Sequence, residues 1–224
     1  DIGLEKREAF SDVARVISGY VDGIMARMFA HADIIELARY ASVPVVNGLT
    51  DLLHPCQVIG DMFTIWEYRR TLDDLIVAYI GDGNNVVNSW INLSTRLPFT
   101  FRIACPEGYE PDAEVQAYAR SVNLGRVEIY RDPREAVKGA HVVYTDVWAS
   151  MGKEHEIEQR KKIFKKYLVD SAWMSLAAKD ARFMHCLPAH RGEEISEEIL
   201  ECRHSVVFDQ AENRLHAQKA LLLR

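Results

Sequence analysis

The chain has 224 residues, 48% of them hydrophobic, and a formal net charge of -6. This is enough for one large or two small domains with a sizeable core. The mildly acidic balance argues against broad electrostatic binding to nucleic acid, though not against a local basic pocket for a small anion.

In chain order, short apolar runs predict strands at residues 23–29, 44–48, 75–80, 101–105, 127–130, 141–144, 183–186 and 206–208. Amphipathic patterns between them predict helices at residues 10–20, 34–40, 58–69, 85–96, 112–122, 133–137 and 154–164. Runs that are apolar throughout are what parallel strands covered on both faces require. Pro133 after Asp132 suits a helix start. The alternation implies an α/β fold of two doubly wound parallel-sheet domains. A boundary is expected at Arg70-Thr71-Leu72-Asp73-Asp74. Residues 1–70 hold two strands, too few for a free-standing doubly wound sheet, so this first domain is expected to be only partly present. Residues 71–204, with about six strands counting the one beyond them, form the second domain. Residues 205–224, a strand, a turn and a helix, return toward the first.

No apolar run approaches the roughly 20 residues that span a bilayer, and the charged stretch from Asp1 to Glu8 lacks a secretion-signal pattern. Cys56, Cys105, Cys186 and Cys202 are widely spread and include no Cys-x-x-Cys pair. They read as reduced thiols of a cytoplasmic protein, with no metal site. The basic run from Lys161 to Lys166 reads as a solvated helix face.

In α/β proteins ligands bind at the carboxyl ends of strands, and five segments there carry reactive groups. Asp51-Leu52-Leu53-His54-Pro55-Cys56-Gln57 leads into a helix. Its free N–H groups, with His54 and Gln57, suit a phosphate or carbonyl oxygen, and simple helix capping explains the same residues. Gly81-Asp82-Gly83-Asn84-Asn85 permits a tight turn with an amide at a helix start, but Val86 holds the place of the third glycine of a nicotinamide fingerprint. Asp146-Val147-Trp148-Ala149-Ser150-Met151-Gly152 sets a carboxylate where it can meet a cationic substrate, ahead of a hydroxyl-bearing loop. An ordinary turn carries the same residues, and the glycine that should precede the serine of a nucleophile elbow is missing. The stretch from His185 to Glu194 gathers a thiol, two imidazoles, a guanidinium and two carboxylates where a strand ends. Adjacent strand residues point to opposite faces, so His185 and Cys186 are not expected to form a nucleophilic pair. In Asp209-Gln210-Ala211-Glu212-Asn213-Arg214, Arg214 is expected in the first turn of the last helix, facing an anion or a surface carboxylate.

Taken together, these segments resemble the ornithine carbamoyltransferase family of the aspartate/ornithine carbamoyltransferase superfamily. The resemblance rests on His54-Pro55-Cys56-Gln57, Gly81-Asp82-Gly83-Asn84-Asn85, Asp146-Val147-Trp148-Ala149-Ser150-Met151-Gly152, His185-Cys186-Leu187-Pro188 and Ala211-Glu212-Asn213-Arg214. Between them, Asp12-Val13-Ala14-Arg15-Val16, Gly23-Ile24-Met25-Ala26-Arg27 and the stretch from Cys105 to Asp112 are similar too. It implies carbamoyl transfer from carbamoyl phosphate to the δ-amine of L-ornithine, giving L-citrulline and phosphate, with no cofactor. By the same resemblance Arg27, His54, Gln57, Cys186, Leu187 and Arg214 meet carbamoyl phosphate, and Asn85, Asp146, Ser150 and Met151 meet ornithine. His54, Asp146 and Cys186 stand nearest the chemistry. A cytoplasmic homotrimer or multiple of trimers, working in arginine biosynthesis without nucleic-acid or membrane partners, is also implied.

The family's Ser-Thr-Arg-Thr-Arg phosphate loop is absent from this sequence, and Ser94-Thr95-Arg96 falls late in a helix, far from any strand end. Asp1 stands where the family commonly has Gln. The sequence is therefore expected to be an N-terminally incomplete copy that alone binds carbamoyl phosphate poorly and turns over slowly. A relative with another amine acceptor, or a catalytically silent binding or regulatory subunit, is the alternative. Asp146 with Ser150-Met151-Gly152 favours ornithine over aspartate, putrescine or N-acylated ornithine.

Overall fold

A computed structural model describes residues 8–149 and 152–223. Among the described residues the strands form two parallel sheets. In the first, β1 (Ile24–Arg27) pairs with β2 (Val45–Leu49), alongside α1 (Phe10–Ser18) and α2 (His31–Tyr40). The chain leaves β2 through α3 (Pro55–Arg69). The second sheet contains β3 (Ile76–Ile80), β4 (Thr100–Ala104), β5 (Arg126–Tyr130), β6 (Val142–Thr145) and β7 (Arg182–His185), in the order β5-β4-β3-β6-β7. All its pairings are parallel. The connections carry α4 (Asn85–Ser94), α5 (Ala113–Val122), α6 (Pro133–Val137), α7 (Ile157–Phe164) and the one-turn α8 (Ser171–Met174). The chain then runs through α9 (Glu197–Leu200) to α10 (Val207–Leu222).

The central strand explains why these segments read as unbroken apolar runs. Val77 and Tyr79 of β3 enter a core with Trp90, Phe101 and Tyr144. Their neighbours Ala78 and Ile80 enter a second core with Phe164, Tyr167 and Phe183. A sheet buried on both faces has no polar side to alternate with. Several helices of the second sheet begin where the sequence supplies caps. Asn84, Asp112 and Asp132 accept the first free N–H groups of α4, α5 and α6.

Strand order reverses at β3. β4 lies on one side of it and β6 on the other, so the loops leaving β3 and β6 diverge to opposite faces and open a crevice at the carboxyl end. Both loops carry motifs singled out above.

The first seven expected strands fall within two residues of the observed ones. Residues 206–208 do not form a strand. The N–H of Phe183 donates to His204 and that of Val206 to Phe183, giving a single parallel bridge at Ser205 before Val206 turns into α10. Val206 and Val207 are buried at the start of α10 while Phe208 is exposed, and a short apolar run serves a buried helix start as well as a strand, so composition does not distinguish the two. The second sheet thus has five strands, and Arg214 is the eighth residue of α10 instead of lying in its first turn. Residues 154–164, expected as one helix, begin with a 3-10 turn at Glu154–Glu156.

Two glycines mark close approaches. A Cβ at Gly83 would stand 2.3 Å from the Pro111 nitrogen, where only backbone can give way. A Cβ at Gly60 on α3 would stand 3.1 Å from Arg214 Cγ on α10, at the flexible part of a long side chain. Gly83→Ala is expected to lower stability by roughly 1–3 kcal/mol, as overpacking does, and Gly60→Ala by less than about 1 kcal/mol. Denaturant midpoints of the two variants check this.

Candidate active site

The loop after β2 and the start of α3 bring His54, Cys56 and Gln57 inward. His54 is the N-cap residue of α3, though its side chain caps nothing, and Pro55 follows at the first helical position. Its backbone N–H donates to Ser89 Oγ on α4 at 2.6 Å. The ring is buried and its Nδ1 has no hydrogen-bond partner. Burial, then the cation Arg214, push the imidazole down to about 4, with Asp146 pulling upward and Arg27 adding a smaller downward push. His54 is therefore neutral at pH 7 and keeps one ring N–H to donate.

Gln57 is buried, and its Oε1 accepts from Arg214 of α10 at 3.1 Å. Arg214 and Arg27, at the end of β1, line one cavity of about 400 Å³ together with Cys56 and Gln218. The Cys56 thiol donates to the Asn47 carbonyl at 3.4 Å, and burial pushes it up.

At the strand-order reversal, Asn84 turns its side-chain oxygen to the N–H groups of Val86 and Val87 and its nitrogen to Asp146 Oδ2, at 2.6 Å. Asp146 Oδ1 accepts from its neighbour Val147 at 2.8 Å and from the Cys186 thiol at 3.0 Å. Burial of the sulfur and the adjacent Asp146 hold that thiol well above its usual range, so it carries its proton. Asn85 donates to the Thr50 carbonyl at 2.7 Å and so ties α4 to the loop after β2. A cleft of about 940 Å³ opens beside these groups, lined among others by Asp51, Asn84, Asn85, Asn88 and Gly152. Ser150 and Met151 lie outside the described residues.

His185 and Cys186 serve different partners. The His185 ring is fully buried, with Nε2 3.2 Å from Glu194 and Nδ1 accepting the N–H of Leu187 at 2.8 Å. Leu187 adopts a left-handed conformation with φ of 57°. Glu194, the last residue of the candidate stretch, is fully buried and also accepts the N–H of His190. Asp146, His185 and Cys186 nevertheless bring one ligating atom each within 4.8 Å of one another, as do His190, Glu193 and Glu194. In the first group both ring nitrogens are engaged and the thiol keeps its proton; in the second, Lys161 pairs with Glu193 at 2.9 Å. The first arrangement is satisfied by hydrogen bonds within the protein, whereas in the second Glu194 Oε2 is buried without a hydrogen-bond partner.

Sequence reasoning missed two buried groups that support the site. Arg160 pairs with Asp82 at 2.8 Å and donates to the Trp148 carbonyl at 2.8 Å, fastening the loop after β6 to the turn after β3. Asp61 lies one helical turn beyond Gln57 and accepts from it at 2.8 Å. A carboxylate among the apolar residues Val58, Ile59, Met62 and Phe63, four residues from Gln57, was the available signal.

Burial pushes Asp61 up to about 7, against the hydrogen bonds it accepts. A raised folded value favours the protonated native state, so stability is full below about pH 4 and falls as pH rises through 7. Asp61→Asn, isosteric with the neutral acid, is expected to stabilise the protein at pH 8 by on the order of 4 kcal/mol, a gain that vanishes toward pH 4. Thermal unfolding of both proteins across that range measures it. His54 has the opposite sign. Its depressed value makes stability fall as pH drops from about 6.5 toward 4. Its ring ¹⁵N resonances should stay those of a neutral imidazole from pH 8 to about 5.

Comparison with known proteins bears directly on this geometry. Residues 1–67 match the carbamoyl-P binding domain of aspartate/ornithine carbamoyltransferase, and residues 73–224 match its Asp/Orn binding domain. The chain is 55% identical over 222 residues to the anabolic ornithine carbamoyltransferase of Pseudomonas aeruginosa, covering 99% of this chain and 72% of that protein. It is 52% identical over 223 residues to the chloroplastic ornithine carbamoyltransferase of Pisum sativum, covering all of this chain but 60% of that protein. The solved ornithine carbamoyltransferase of Pyrococcus furiosus superposes with a TM-score of 0.92 at 51% identity, over 97% of this chain and 71% of that one.

Proposed function

The chain belongs to the aspartate/ornithine carbamoyltransferase family, and we propose that it transfers the carbamoyl group of carbamoyl phosphate to the δ-amine of L-ornithine, giving L-citrulline and phosphate. The observation that carries this reading is the grouping around a buried His54 of the cations Arg27 and Arg214 and the carboxylate of Asp146, all close enough to act on its ring, with Asp146 held by Cys186 and Asn84. Relatives named ornithine carbamoyltransferase, at 52% and 55% identity, support ornithine as the acceptor.

The residue types suit the chemistry. Carbamoyl phosphate is an anion with a polarisable carbonyl. Arg27 and Arg214 neutralise its phosphate, for which a guanidinium fork is well shaped. His54 donates a ring N–H to the carbonyl oxygen, where negative charge develops during attack. The Gln57 oxygen and the Leu187 carbonyl accept from the carbamoyl NH2. Ornithine must attack through an uncharged δ-amine, and freeing it at pH 7 costs about 4–5 kcal/mol for a pKa near 10.4. Desolvation beside two arginines lowers that cost. The amine lone pair then bonds to the carbonyl carbon, the bond from that carbon to the phosphate oxygen breaks with its electrons leaving on phosphate, and the proton shed by the attacking nitrogen passes to the departing phosphate.

Asp146 takes the ornithine α-ammonium and positions the δ-amine. Cys186, held as a thiol, positions and does not attack. Asn85, anchored on Thr50, completes the amino-acid side, and Ser150 and Met151 are assigned to ornithine on the sequence alone. An aspartate acceptor would bring carboxylates toward Asp146, which disfavours the nearest alternative. The same reading carries a cytoplasmic homotrimer, or multiple of trimers, in arginine biosynthesis. The relative named anabolic supports that pathway, and the mass of the assembly in solution tests the subunit number.

A citrulline assay on the protein made from its full gene, with putrescine and aspartate as competing acceptors, tests the reaction. Citrulline from ornithine alone is expected. Product only from another acceptor, or none at all, would turn the assignment to a different transferase or a silent subunit. His54→Ala should lower kcat roughly 100- to 1000-fold, as loss of one oxyanion donor does. Cys186→Ser should stay within about tenfold of the unaltered enzyme; complete loss in a folded variant that still binds carbamoyl phosphate would overturn the positioning role.

A further inference from the structure

Elements that carry the site meet on one buried carboxyl group. Asp61 of α3 is fully buried, and its Oδ1 accepts from Gln57 Nε2 at 2.8 Å and from Gln210 Nε2 of α10 at 2.7 Å. Its Oδ2 accepts from the hydroxyl of Tyr144 on β6 at 3.0 Å. Each partner leads on to the site. Gln57 Oε1 accepts from Arg214, and Gln210 Oε1 accepts at 3.0 Å from the backbone N–H of His185, the last residue of β7 before Cys186 and Leu187. Tyr144 stands two residues before Asp146.

A side-chain amide has a donor end and an acceptor end. With both nitrogens committed to Asp61, both oxygens must face the other way, one toward Arg214 and one toward the end of β7. A flipped Gln57 would set its NH2 against the guanidinium and its oxygen against the carboxyl, donor to donor and acceptor to acceptor. Packing alone gives no reason for the group. Val58, Met62 and Ile65 beside it on α3 are core hydrophobics, and an apolar side chain in place of a buried ionisable one is often neutral or stabilising. We propose that Asp61 is a positioning residue for the carbamoyl phosphate half of the site. It fixes the amide orientations of Gln57 and Gln210, and through them Arg214 and the β7 end that carries Cys186 and Leu187, without touching substrate. The inference rests on the carbamoyl-transfer reading.

The test uses the protein from its full gene and three substitutions, with KM for each substrate, kcat and thermal unfolding measured together. Asp61→Leu and Asp61→Ser remove the double acceptor. Both should raise KM for carbamoyl phosphate by about tenfold or more while KM for ornithine moves less than about threefold. Asp61→Asn keeps an Oδ1 that accepts from both amides and an Nδ2 that donates to Tyr144, and should return KM for carbamoyl phosphate to within about threefold of the unaltered protein. If the leucine variant does not fold, the serine and asparagine variants decide. An asparagine variant as impaired as the others overturns the proposal. So does a folded serine variant with an unmoved KM for carbamoyl phosphate, or a rise in both KM values that simply follows lost stability. Active unaltered protein with any of these results counts against Asp61 alone. Unaltered protein that forms no citrulline overturns the reaction and this inference with it.

Discussion

The hydrogen bond from Asn84 to Asp146 joins two loops that share a crevice only because the strand order reverses between β3 and β6. Topology brings the loops side by side, and a single amide then sets their register. The same Asn84 spends its oxygen on the free N–H groups of α4, so one side chain starts a helix and aims a carboxylate. Asp146 is in turn placed to accept from Cys186, at the end of the neighbouring strand. Three strand ends are thus drawn to one point, and a pocket there needs no further scaffold.

The two sheets are held across the crevice in a similar way. Asn85 and Asn88 of α4 donate to the carbonyls of Thr50 and Leu52, and Ser89 of α4 accepts from the backbone of His54. On the other side, α3 and α10 pack through Gly60 and share the buried polar group around Asp61. Residues on one part are oriented by backbone on the other. The histidine that sits between them stays uncharged because both parts shield it from water.

Most of the architecture was legible in the sequence because its cause is local. Strands buried on both faces must be apolar throughout, and caps such as Asp132 before Pro133 announce helix starts. The end of the second sheet was not legible. Val206, Val207 and Phe208 carry the composition of a strand, and only the bonds to Phe183 decide that pairing stops after one bridge. The site was readable where a motif follows a strand, as with His54, Asp146 and Cys186. Its supports were not. Asp61, Gln210 and Tyr144 lie far apart in the chain, each unremarkable alone, and become one network only when α3, α10 and β6 meet. Gln210 was quoted in a candidate segment, but its reach back to His185 depends on a helix register that the expected strand had displaced.

The bridges made by α4 across the crevice run from neutral amides and a hydroxyl to backbone groups, and none is an ion pair. Salt screens interactions between exposed charges over a Debye length of about 8 Å at physiological ionic strength, and it has little hold on short, buried dipolar contacts. The ion pairs Arg15–Asp12 and Arg134–Asp132 lie on the exposed surface. The hold of these α4 bridges on the two sheets therefore changes little with ionic strength, even though capture of an anion by Arg27 and Arg214 does change. Salt separates what assembles the crevice from what fills it.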